Sequence, residues 1–253
     1  MVLELKNVSI TIDKKSIIQN ANINVPKNKF VGLVGLNGTG KSTILKAIYG
    51  INEYQGNILL NDVDIKTIGI KLLARKMAVL TQDNITDFDF KVRDIVMLGR
   101  LPYKNLFDSD NEEDIKIVKK SLTYVGMEQF SDRYFNSLSG GEKQRVLIAR
   151  MLAQQTDFFI LDEPTNHLDI KNQFLFFEMI KNLNYTVLSV LHDLNIAAKF
   201  CDFIYVIDKG KIVAQGKPID VFTKQLLKDI FGMNVNIYTL KDDKIYIEYL
   251  NTI

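Results

Sequence analysis

An α/β protein built around a parallel sheet is what this sequence of 253 residues predicts. Three observations predict it. Dense apolar runs of strand length recur at Phe30-Val31-Gly32-Leu33-Val34, 157–161, 185–191 and 203–207. The first suits a strand buried on both faces. Helical patterning lies between them, most clearly over 141–154, where Val146, Ile148, Ala149 and Leu152 supply an apolar stripe. Strands alternating with helices argue for a parallel sheet. Finally, 47% apolar and 25% charged residues describe an ordinary globular domain, with core enough to exclude wholesale disorder.

The remaining elements follow in chain order. Residues 2–12 and 21–25 hold short, partly alternating apolar runs, joined by the polar turn Asp13-Lys14-Lys15. Pro26-Lys27-Asn28 makes a second turn, and 57–62 reads as another strand. Ser109-Asp110-Asn111-Glu112 has capping-box spacing before an amphipathic stretch that runs to Val125. The helical middle, about 88–155, looks inserted between sheet-forming halves. In the tail, the alternating segments 235–240 and 244–250 flank Lys241-Asp242-Asp243 and predict a hairpin. The chain carries no internal repeat and no low-complexity tract.

Charge and composition exclude several functions. With 32 basic and 30 acidic residues the net charge is +2, so no strong field favours nucleic acid or an anionic membrane. One cysteine, Cys201, excludes an internal disulfide and a cysteine-based zinc site. Two histidines, His167 and His192, argue against a histidine-rich metal site. No apolar run reaches the ~18–20 residues that span a bilayer. The first residues lack the pattern of a signal peptide. The expectation is a cytosolic chain, brought to any membrane by a partner.

Two motifs carry chemistry. Gly35-Leu36-Asn37-Gly38-Thr39-Gly40-Lys41-Ser42 fits G-x-x-x-x-G-K-[ST], behind a buried strand and ahead of a helix opening at Thr43. Glycines let the backbone amides converge on one centre, and a helix N-terminus adds positive potential there. Lys41 brings a full charge to the β and γ phosphates of a nucleotide. Ser42 offers a hydroxyl to Mg²⁺. The second motif is Phe158-Phe159-Ile160-Leu161-Asp162-Glu163. A strand ending in Asp162 can set a carboxylate beside Mg²⁺, with Glu163 placed to polarise an attacking water. Together they indicate a nucleotide hydrolase. A guanine reader of the N-K-x-D type is missing from the sequence.

Leu138-Ser139-Gly140-Gly141-Glu142 opens the helix at 141–154 as a second helix-start anion site. With it the chain resembles the ATP-binding subunits of ABC transporters, along nearly its whole length. That resemblance implies a P-loop NTPase (RecA-like) core with an antiparallel β subdomain and an inserted α-helical subdomain. As one domain over 1–253, the core would comprise 1–87 and 156–225, the helical subdomain about 88–155, and a C-terminal extension 226–253.

The resemblance also implies roles. Gln82 would reach Mg²⁺ and the attacking water; on its own it is a polar residue ending a strand. Leu138, Ser139, Gly140, Gly141 and Glu142 would touch the γ-phosphate of ATP held by a second subunit, although the family's fifth residue is usually Gln. Asp169, in Asn166-His167-Leu168-Asp169, would anchor a loop crossing the dimer interface, and His167 would be an interface or surface residue. His192 would be the switch histidine, linking the γ-phosphate to Glu163. Where the family stacks an aromatic ring on adenine, this chain has Ile12, which packs without a π face. Adenine discrimination should therefore be loose, with ATP preferred over GTP by less than about a hundredfold.

Further implied are ATP and Mg²⁺, a homodimer sandwiching two ATP, two permease subunits, and an external solute-binding protein. The permease would dock at 83–107, using Phe88, Phe90, Met97, Leu98, Leu101, Tyr103 and Phe107; the same residues could equally be core of the helical insertion. Met97-Leu98-Gly99-Arg100-Leu101-Pro102-Tyr103 and Leu191-His192-Asp193-Leu194-Asn195 resemble importer ATPases for iron–siderophore, haem and cobalamin. Manganese and zinc importers share these patterns. A soluble ABC ATPase is a further alternative, disfavoured by the lack of a basic footprint or a second ATPase domain.

Overall fold

The computed structural model describes residues 2–81, 89–105, 108–166 and 168–252. The chain opens with β1 (Leu3–Ile12) and β2 (Lys15–Val25), paired antiparallel. Asp13 and Lys14, at φ 48° and 61°, form the two-residue turn between them, whose left-handed backbone matches strand twist. The second strand thus begins at Lys15, not near 21. The segment 15–20 alternates weakly, and pairing with β1 overrides its polarity.

Next come β3 (Phe30–Val34), α1 (Lys41–Ile48), β4 (Gln55–Leu60), β5 (Val63–Asp64), α2 (Ile70–Ala74) and β6 (Ala78–Leu80). Helices α3 (Val92–Met97), α4 (Glu112–Tyr124) and α5 (Gly140–Ala153) precede β7 (Phe158–Asp162). Then follow α6 (Ile170–Asn182), β8 (Thr186–Val190), α7 (Leu194–Phe200), β9 (Phe203–Asp208) and β10 (Lys211–Gly216). The chain closes with α8 (Pro218–Val221), α9 (Lys224–Phe231), β11 (Met233–Thr239) and β12 (Ile245–Thr252), the last two paired antiparallel.

A six-stranded sheet in the order β10-β9-β3-β8-β7-β6 forms the centre. All its pairings are parallel except that of the edge strand β10. Strands β3, β7 and β8 are buried throughout, which is why their sequences are continuous apolar runs. A second, antiparallel sheet runs β2-β1-β4-β5. Its inner residues Leu3, Leu5, Val8 and Ile10 pack with α1 against one face of the central sheet, through Val31, Leu33, Ile160 and Leu188. The other face, through Phe30, Val34, Phe159 and Leu161, packs on helices. Burying each such side chain stabilises by about 1.5–3 kcal/mol. The fold is therefore the P-loop NTPase architecture the sequence implied.

Two local expectations are corrected. Asn111, not Ser109, caps α4, accepting from the Asp114 amide at 2.8 Å. In α5, Leu147 and Met151 are buried while Leu152 is only partly so; the helix is wrapped by neighbours, so its buried face is wider than a stripe. Among the described residues, no helix is long and apolar enough to cross a membrane.

Candidate functional site

Register decides where the chemistry meets. Leu33 pairs with Val190, and Val190 with Asp162. The carboxyl ends of β3, β8 and β7 therefore lie side by side, the edge where open α/β sheets bind ligands. The loop 35–40, Glu163 and His192 all leave from that edge.

The loop turns on glycine. Gly40 sits at φ 101°, and a Cβ there would come within 2.4 Å of Ile18 Cδ1. A Cβ at Gly35 would meet the Ile207 carbonyl oxygen at 2.2 Å. Thr39 Oγ1 donates to the Leu36 carbonyl at 2.9 Å. Lys41, only 4% exposed, reaches back so that Nζ donates to the carbonyls of Gly35 and Leu36 at 2.9 and 2.8 Å. Burial pulls its pKa below the ordinary lysine value, opposed by Glu163 and Asp162. An anion in the loop would offset that cost.

Ser42, the second residue of α1, donates its hydroxyl to Asp162 Oδ1 at 2.8 Å. Burial pushes the Asp162 carboxyl up, against the pull of that hydrogen bond. These are hard oxygen donors. Mg²⁺ takes one or two side-chain oxygens and completes its shell with phosphate and water, so the pair fits that ion. Among the described residues there is no cluster of three or more acidic, histidine or cysteine side chains to hold another metal.

Glu163 stands one residue past β7 at φ 50°. Its Oε2 accepts from Asn166 Nδ2 at 2.6 Å, and its Oε1 contacts His192 Nε2. A cleft of about 770 Å³ gathers Asn37, Gly38, Gly40, Lys41, Ser42, Thr43, Glu163 and His192. Ile12, 40% exposed at the tip of β1, forms part of its wall. Asn166, Lys15 and Ile17 also line it, and sequence reasoning missed all three. Asn166 lies in a turn three residues past Glu163, its N–H donating to the Glu163 carbonyl at 3.4 Å. Lys15 and Ile17 share one face of β2, and Lys15 pairs with Ile12 across the turn.

Leu138, Ser139, Gly140, Gly141 and Glu142 do not line this cleft. Ser139 caps α5, and Glu142 closes a capping box: the Ser139 N–H and hydroxyl both donate to Glu142 Oε2 at 2.8 Å. The Ser139 N–H, then its hydroxyl, hold the Glu142 carboxyl below its ordinary value. Gly141 abuts Asn172, whose Oδ1 would lie 2.5 Å from a Cβ there. Asp169 caps α6 by accepting from the Asn172 backbone and side chain, each at 2.8 Å. The start of α5 and the Asp169 loop thus touch through one asparagine.

Gln82, His167, Phe88 and Phe107 lie outside the described residues. Of the other docking candidates, Phe90 and Leu101 are exposed, while Met97 and Leu98 pack on the core.

The family model described as ABC transporter matches residues 18–166. The iron(3+)-hydroxamate import ATP-binding protein FhuC of Bacillus subtilis (strain 168) is 36% identical over 94% of this chain and 90% of its own length. A chain of a transporter described as metal-chelate type, in an inward-facing conformation, superposes with a TM-score of 0.84 at 25% identity, covering 98% of this chain and 96% of that one. A dimeric, post-hydrolysis ATP-binding cassette, MJ0796, bound to ADP and Pi, gives a TM-score of 0.72 at 28% identity, over 85% of this chain and 98% of that one.

Proposed function

This chain belongs to the ABC transporter family as an ATP-hydrolysing subunit, and from that premise we propose that it drives import of an iron chelate. Siderophore complexes come first, with haem and cobalamin as the neighbouring chemistries. The hydroxamate-import relative supports the solute class. The observation that carries the mechanism is the meeting of Lys41, Ser42, Asp162, Glu163 and His192 at one sheet edge, while Ser139 stands elsewhere.

In this reading the amides of 35–43 and the Lys41 ammonium receive the ATP phosphates, and Ile12 packs on the adenine. Ser42 and Asp162, with Gln82, would hold Mg²⁺, whose charge, when bound, offsets that of the β and γ phosphates. Glu163 takes the proton of the attacking water, held in place by Asn166. His192 fixes Glu163 from the other side and donates to the γ-phosphate. Each protomer completes its partner's site: the five residues from Leu138 reach the γ-phosphate in trans, and Asp169 lines the interface. Two ATP close the homodimer, and hydrolysis reopens it.

That cycle is transmitted to two permease subunits docked on 83–107, served by an external solute-binding protein. The chain then sits on the cytoplasmic face of the membrane through the permease. No nucleic acid takes part.

Two measurements test this. Glu163→Gln should bind ATP, form a stable dimer and lose hydrolysis by about a thousandfold or more; a monomer that turns over normally would displace Glu163. Uptake of labelled ferric siderophores, haem, cobalamin, manganese and zinc should be compared in cells lacking this chain and complemented with wild type or Glu163→Gln. Loss of one iron chelate, restored by wild type alone, is the expected result. Loss of manganese or zinc alone would overturn the solute class and keep the ATPase.

A further inference from the structure

Ser139 caps the start of helix α5, and the helix's other end is held by side chains from a separate segment. The last carbonyls of a helix have no partner within it. Here the turn Leu98–Tyr103 supplies them. Arg100 Nη1 donates to the Ala153 carbonyl and to Gln155 Oε1, each at 2.8 Å. Tyr103 Oη donates to the Gln154 carbonyl at 2.9 Å. The Arg100 guanidinium lies 4.2 Å from the Tyr103 ring centroid, and a cation here also complements the helix dipole. The turn lies flat on the helix: a Cβ on Gly99 would sit 2.3 Å from the Arg150 carbonyl oxygen.

The same turn grips two other elements. Arg100 Nε donates to Asp114 Oδ1 of α4 at 2.8 Å, with Lys104 Nζ 3.4 Å from Oδ2. Arg75 Nε donates to the Pro102 carbonyl, and Gln154 Nε2 to the Met77 carbonyl, both at 2.8 Å, which ties the hub to the approach to β6. The Arg100 and Asp114 side chains are 6% and 4% exposed. A buried ion pair of this kind adds little stability over apolar residues of equal volume. What a guanidinium fork adds is one fixed orientation.

We infer that Leu98–Tyr103 is a clamp that sets the direction of α5, with Arg100 and Tyr103 as positioning residues for the phosphate contact of Ser139. The inference rests on the dimer reading above. Helix α5 has 14 residues and is about 21 Å long. A tilt of about 5° at the clamped end moves the Ser139 end by roughly 2 Å, enough to break a hydrogen bond. The clamp belongs to the segment proposed to receive the permease, so load on that segment reaches Ser139 through α5.

The test compares three proteins by sedimentation with ATP: Glu163→Gln, Glu163→Gln/Tyr103→Phe and Glu163→Gln/Arg100→Lys. Binding of a fluorescent ATP analogue to the monomer and thermal melting are followed in parallel. Tyr103→Phe keeps the ring and loses one hydrogen bond, so it guards against a misfolded Arg100 variant. The expected result is dimerisation weakened about fivefold by Tyr103→Phe and about tenfold or more by Arg100→Lys, with monomer binding unchanged. A lowered melting temperature with unchanged dimerisation in Tyr103→Phe would make the clamp merely structural and overturn the inference alone. If Glu163→Gln itself forms no dimer with ATP, the dimer reading falls and takes the inference with it.

Discussion

Helices α1 and α5 both begin at a glycine-rich turn, yet only α5 is capped by a side chain. The start of α1 has no side-chain cap: Gly40 stands at the N-cap in a left-handed conformation, and the nearest cation, Lys41, is buried. Among the described residues no side chain caps that end, although the Asp162 and Glu163 carboxylates stand close by. The start of α5 is exposed and carries a capping box: the Glu142 carboxylate accepts from both the amide and the hydroxyl of Ser139, and Ser139 Oγ accepts from the Glu142 amide. One end is left without a side-chain cap and opens into the cleft; the other carries an anion of its own. The difference teaches which end can act within a single protomer. Under the proposed dimer, the phosphate that reaches Ser139 would compete with the Glu142 carboxylate for its hydroxyl.

The largest expected effect breaks the first end. Lys41→Ala removes the buried charge, and ATP affinity measured by calorimetry should fall about a hundredfold. Unchanged affinity would mean the phosphates lie elsewhere. Ser139→Arg breaks the second end only: hydrolysis should fall about a hundredfold while monomer binding of ATP holds within about twofold. Loss of monomer binding would put both ends in one site and erase the contrast.

Smaller changes sharpen it. Ile12 lines the cleft at the first end, so Ile12→Tyr should raise the ATP-over-GTP preference about threefold in binding competition. Glu142→Gln removes the carboxylate from the second end, and dimerisation of the Glu163→Gln protein should tighten about twofold. This substitution also has a pH signature. The Glu142 carboxyl is held below its unfolded value by Ser139, so its contribution to stability is present above that unfolded value and lost as pH falls through the lowered one. Melting curves should show wild type losing slightly more stability than Glu142→Gln between about pH 5 and 3. Identical slopes would mean the capping box carries no charge effect.

The first end was legible because its parts are consecutive. Eight residues, Gly35-Leu36-Asn37-Gly38-Thr39-Gly40-Lys41-Ser42, contain the turn, the charge and the hydroxyl. The second end was half legible. Ser139 was readable as a cap, but Glu142 read as a departure from a family pattern rather than as the closing member of S-x-x-E. The same spacing at Ser109-x-x-Glu112 promised a box that does not form. There α4 starts at Glu112, with Asn111 as cap, and Asp114 turns inward to Arg100. Both patterns are local, and the packing of one buried carboxylate selects between them.

The sequence by itself determined the alternation of strands and helices, the glycine-rich turn with its lysine, and the strand that runs out into two carboxylates, because each is encoded within a few neighbouring residues. Tertiary structure alone decided that Ser42 meets Asp162, that Asn166 and His192 hold Glu163 from two sides, and that Arg100 caps the far end of α5. Those contacts depend on sheet register and helix packing, and register is a property of distant segments meeting, which no local pattern contains.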